Sequence, residues 1–143
     1  MSKRLSDLLK EKARMFSVQV VELSREVRKH REAVLSAQVL RSGTSIGANI
    51  AEAAYAQTRG DALSKHSIAQ KEAAETLYWI ELFMDTGIIE AGGRFEPMRR
   101  DCIEIIGILD RVIRYLKYKN TRCMRERISN KTKGRGSAPG NGN

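Results

Sequence analysis

Two apolar stripes, one near each end of the chain, constrain its fold more than any other feature. Leu9, Ala13, Phe16, Val20, Leu23 and Val27 recur at alternating steps of four and three, and Met98, Cys102, Ile105, Leu109, Val112 and Leu116 repeat that pattern. Such steps keep side chains on one face of an α-helix, and the stripe they make is stable only when buried against a partner. Ile106 and Ile113 widen the second stripe, and Pro97 suits the first turn of its helix, where the missing N–H is not needed. Proline otherwise occurs only at Pro139, so nothing breaks a helix between these stripes. No segment carries the two-residue period of a strand.

Two further helices fit between the stripes. "SAQVLRSGTSIGANIAEAAYAQT" is expected to end in a left-handed residue at Gly60, with Asp61 capping the helix that follows. In "ALSKHSIAQKEAAETLYWIELFMDT", Ala62, Ala69, Ala73, Leu77, Ile80 and Met84 fall within about 80° of one another at 100° per residue. Gly87 is placed to stop this helix, and Gly92-Gly93 to turn the chain toward the last one. Four helices of about 20 to 25 residues with short links predict an all-α, antiparallel up-down-up-down four-helix bundle. Residues 1–119 are assigned to that domain and residues 120–143 to a basic, Gly/Asn/Ser-rich disordered tail.

The chain has 143 residues and a formal net charge of +9. From Asn120 onward Arg122, Arg125, Arg127, Lys131, Lys133 and Arg135 face a single acid, Glu126, so +5 of the charge lies in the tail. Arg114, Lys117 and Lys119 lead into it, alternating with Tyr115 and Tyr118, and cations interleaved with aromatics suit single-stranded nucleic acid. These nine basic residues are the expected nucleic-acid contacts; a merely solubilising tail is the competing reading. Trp79, Tyr78 and Tyr55, set among leucines and alanines, are expected to pack.

Arg41 to Ala53, "RSGTSIGANIAEA", raises a different question, because Gly43 and Gly47 stand four residues apart within it. A phosphate loop would need a following Lys-Ser/Thr and a preceding strand, and neither is present. A membrane-type small-residue interface is excluded by Arg41, Asn49 and Glu52. What remains is a soluble helix with two committed faces. Val39, Leu40, Gly43, Ile46, Gly47, Ile50 and Ala54 form an apolar arc, with no Cβ at the two glycines, so that another backbone can approach. Arg41, Ser45, Asn49 and Glu52 form a polar arc that meets solvent, another helix or another subunit.

Arg41, Ser45, Ile46, Asn49, Ile50 and Glu52 match R-x-x-x-S-I-x-x-N-I-x-E, and Lys71, Glu72, Ala73, Glu75, Thr76, Trp79, Glu81 and Leu82 match K-E-A-x-E-T-x-x-W-x-E-L. Over about residues 8 to 118 the chain thereby resembles the bacterial four-helix-bundle family encoded in intervening sequences of 23S rRNA genes. Many relatives have proline where this chain has Gly47, and either residue weakens the helix there. The resemblance implies a homo-oligomer, a pentamer, and through a related branch an accessory role beside the reverse transcriptases of diversity-generating retroelements. It implies no catalysis. Arg41, Ser45, Asn49, Glu52, Lys71 and Glu75 then become a candidate subunit interface or structural polar network, which is the alternative to a nucleic-acid role.

No catalytic residue, metal site or cofactor is assigned. His30 and His66 have no Glu three residues before them, so the Glu-x-x-His pairs of a di-metal bundle are missing. Cys102 and Cys123 lie 21 residues apart with no partner at metal-ligand spacing, and reduced thiols are expected. No basic-then-apolar leader opens the chain and no run nears the ~18 apolar residues of a membrane span, so a cytoplasmic protein with no membrane partner is expected.

Overall fold

The computed structural model describes residues 3–133. Within them lie four helices, α1 (Lys3–Lys29), α2 (Ala33–Ala53), α3 (Arg59–Asp85) and α4 (Glu96–Lys133), and no strand. Contacts between helices give the register directly. Ser36 Oγ donates to the Ser24 carbonyl (2.7 Å), Cys102 Sγ to the Ala73 carbonyl (3.2 Å), and Lys12 pairs with Glu104 (2.9 Å) while Arg94 pairs with Glu22 (2.9 Å). In each pair of helices the residue numbers rise on one side as they fall on the other. Each helix is antiparallel to its neighbours, and α4 closes the ring against α1. The bundle is the up-down-up-down type that its short links require.

Both terminal stripes are buried as their spacing predicts. Leu9, Ala13, Phe16, Val20, Leu23 and Val27 from α1 and Met98, Cys102, Ile105, Leu109, Val112 and Leu116 from α4 all lie in one core. α3 contributes Ala69, Ala73, Ile80 and Phe83, and α2 contributes Val39, Ile46 and Ile50. Leu40 differs from expectation. It is exposed, and the buried stripe of α2 runs instead through Ser36, Ser42 and Gly43. Small residues win there because α1 lies too close for leucine: a Cβ at Gly43 would stand 2.5 and 2.6 Å from the Val20 methyls.

Helix ends hold one confirmation and one correction. Gly87 follows the last turn of α3 with φ 73°, the left-handed geometry expected of it. Gly60 does not terminate α2. That helix ends at Ala53, and Gly60 already sits in the first turn of α3, where Thr58 is the N-cap and its Oγ1 accepts from the Asp61 N–H (3.0 Å). The Asp61 carboxylate accepts from the N–H of Gln57, the residue before the cap (3.3 Å), so the acid acts from inside the turn and the Thr58 hydroxyl caps it.

The domain boundary drawn at Lys119 falls inside a helix. α4 runs 38 residues, so residues 120–133 continue it, whereas Gly134 to Asn143 of the expected tail lie outside the described residues. The reason is propagation. Leu116 is still anchored in the core, each further residue adds a hydrogen bond at no nucleation cost, and no glycine or proline occurs between Leu116 and Gly134.

Candidate functional site

Two surfaces gather the residues singled out by sequence. The first lies along α2 and α3. Arg41 reaches across to α3, where its guanidinium donates to Glu72 (3.2 Å) and to Glu75, and the Trp79 indole donates to the same Glu75 oxygen (3.2 Å). The Arg41 hydrogen bond, reinforced by Trp79, holds the Glu75 carboxyl below its ordinary pKa against a smaller opposing effect of burial. Three turns further along α2, Glu52 pairs with Lys65 of α3. Asn49 donates to the Ser45 carbonyl (2.9 Å) and hydroxyl (3.1 Å), staying within its own helix. Lys71 is exposed and joins no ion pair among the described residues.

The polar arc is thus occupied mainly by α3 of the same chain. Sequence reasoning did not reach Lys65 as the partner of Glu52, nor a buried hydroxyl pair beneath the ion pairs. There Thr76 donates to Ser42 Oγ at 2.9 Å, with the Glu72 carbonyl 2.8 Å away. Only the antiparallel register sets these residues opposite one another.

The second surface is the end of α4. Beyond Leu116 the helix leaves the core. Asn120 and Cys123 are half-buried, and the side chains described from Met124 onward are exposed. Residues 120–133 extend about 21 Å at 1.5 Å per residue. Between Arg114 and Lys133 the chain places eight basic residues and one acidic residue. Arg114 is paired with Asp110 (2.9 Å) and Arg122 with Glu126 (3.0 Å), and Lys119 Nζ lies 5.7 Å from the centre of the Tyr115 ring. Lys117, Arg125, Arg127 and Lys131 have no acidic partner among the described residues. Lys133 closes the described helix, and Arg135 lies outside the described residues. Tyr118 stands 62% exposed among these cations, where a ring is open to stacking. The expectation for two other aromatics is corrected: Tyr55 and Tyr78 are 88% and 57% exposed, Tyr55 in the turn that follows α2 and Tyr78 on the outer side of α3. Trp79 is half-buried, as expected of a packing residue.

His66 is buried in the bundle, and desolvation alone lowers its pKa below 6.5, favouring the neutral ring. The Cys102 thiol is pushed up to about 12, mainly by burial, and is an inert core group; Cys123 is also free. No cluster of three or more potential metal ligands occurs among the described residues, and no described helix is long and apolar enough to cross a membrane.

The model of the family described as 23S rRNA-intervening sequence protein matches residues 8–111. The chain belongs to that family. A solved relative agrees: a protein of unknown function from the S23 ribosomal protein family of Bacteroides thetaiotaomicron is 43% identical. The match covers 77% of this chain and 98% of that one, with a TM-score of 0.73. No curated protein matches the chain. The family match takes in the whole Arg41–Glu75 network and stops before Arg114, so the basic end of α4 lies beyond the part that defines the 23S rRNA-intervening sequence proteins.

Proposed function

We propose that this member of the family is a non-enzymatic, homo-oligomeric bundle that binds single-stranded nucleic acid, RNA or DNA, as an accessory to a nucleic-acid enzyme such as a reverse transcriptase. The observation that carries this reading is the projecting end of α4, a helix rich in cations without acidic partners, with Tyr118 exposed among them. Its contacts are with phosphates and depend little on sequence, and their strength falls as salt rises, because counterions released from the strand gain less entropy in a saltier solution. Several copies in one assembly would multiply weak contacts by avidity. The test is titration of a labelled single-stranded oligonucleotide across a salt series, with the wild type and a chain lacking residues 120–143. The wild type is expected to weaken steeply with salt and the shortened chain to lose most of that slope. Equal binding by both would refute the proposal.

A second reading, a module that binds only protein, draws on the outer face of α3. Ile68 and Tyr78 are exposed there on the same side as Lys71. Mass measurement by light scattering decides it, since a chain that stays monomeric does not use that face to assemble.

A further inference from the structure

The bundle end from which α4 projects also carries three grooves, two of which share lining residues. The first, about 370 Å³, lies between α1 and α2. It exists because Gly47, Ala51 and Ala54, about one turn apart on α2, offer no side chain beyond Cβ, and Lys10, Arg14 and Tyr55 border it. The second, about 110 Å³, shares Lys10 and Ala54 with the first and reaches inward to His66 and Leu116. The third, about 520 Å³, lies between Arg59 at the start of α3 and Asn120, Met124 and Arg127 of α4. Leu116 and Asn120 are one helical turn apart, so the second and third grooves border successive turns of α4. The result is a track from the α1–α2 face to the base of the α4 projection.

Three features of this track point to one kind of ligand. Lys10, Arg14, Arg59 and Arg127 have no acidic partner among the described residues, so their charge is free for an anion. Tyr55 stands 88% exposed beside Lys10 and Arg14 and offers a ring face for stacking. His66, only 7% exposed, lines the inner groove, and its Nδ1 finds no hydrogen-bond partner among the described groups. A buried ring nitrogen without a partner is a cost that a polar ligand edge relieves. A second copy of the chain fits less well. Docking the exposed Met124 and Ile128 of a second copy there would press its Arg125 and Arg127 against Lys10 and Arg14.

We propose that single-stranded nucleic acid follows this track, with a base stacked on Tyr55 in the small-residue groove and phosphates held by Lys10, Arg14, Arg59 and Arg127. The proposal rests on the nucleic-acid reading given above and adds a site on the body of the bundle to the one on the projecting helix. The test uses the full chain with labelled oligouridylate and oligothymidylate. Tyr55→Leu, Lys10→Gln with Arg14→Gln, and Arg122→Gln with Arg125→Gln and Lys131→Gln are compared with the wild type. All these side chains are exposed, and an unchanged thermal melt verifies that each variant folds.

Tyr55→Leu is expected to weaken binding about tenfold with an unchanged salt slope. The Lys10/Arg14 variant is expected to reduce the slope of log affinity against log salt by about 1.4, for two single-strand phosphates. If only the α4 variant loses affinity, the track is overturned and the projecting helix stands alone. If the wild type does not bind, the nucleic-acid reading fails as a whole. If Tyr55→Leu binds like the wild type but changes the mass of the assembly, the groove is an interface between copies, and the proposal is wrong.

Discussion

A single carbon added at Gly43 would lie 2.5 and 2.6 Å from the two methyls of Val20, a side chain with no exposed surface and no room to turn. Alanine is the better helix former by about 1 kcal/mol, but overpacking a close-packed site costs about 1–3 kcal/mol, and here the neighbour is branched and enclosed. Gly43→Ala is therefore expected to lower the free energy of unfolding by about 1–2 kcal/mol, read by chemical denaturation. Gly47→Ala makes the control. Its Cβ would meet Ser17 Oγ at 2.8 Å, a hydroxyl that can rotate away, so stability should stay within about 1 kcal/mol of the wild type. The two glycines read alike in sequence because spacing reports which face a residue occupies, whereas the cost of a methyl depends on which atom stands opposite.

Between elements, α2 and α3 are joined by a buried hydroxyl pair and by an outer row of charges. Ser42 and Thr76 satisfy each other where neither could reach water. The row above them is half in solvent, with the Arg41 side chain 52% exposed, so Arg41→Ala should cost less than about 1 kcal/mol at neutral pH. The pH dependence has a definite sign. Glu75 is depressed below 4.5 in the folded chain, first by Arg41, so its contribution is present above the unfolded value and is lost as pH falls through the folded one. The stability gap between wild type and Arg41→Ala should narrow as pH drops below 4.5 and close once Glu75 is protonated in the folded chain, measured by denaturation at stepped pH. Sequence made Arg41 and Glu75 recognisable as a pair of motifs. It did not show that they touch, because 34 residues and a reversal of direction separate them.

For the whole molecule, the bundle and its projection are separate in energy. The core ends at Leu116, and the helix beyond buries little against the rest of the chain. Removing residues 120–143 is expected to leave the melting temperature within a few degrees of the wild type, since hydrophobic stabilisation scales with buried apolar area. A large loss in calorimetry would show that the extension braces the bundle. The sequence alone determined the number of helices, their order, their antiparallel packing and the buried faces of α1 and α4, because a period of 3.6 residues and short links leave few other solutions. Tertiary structure decided the rest. Polar composition suggested that order stops at Lys119, but a helix already anchored in a core propagates through any residues that do not break it. The occupant of the Arg41–Glu52 arc, the exposure of Tyr55 and the track beside Gly47 depend on which residues of distant helices stand level with one another. That is set by the registers of four packed helices, and the interactions that set them act across space, where no spacing along the chain records them.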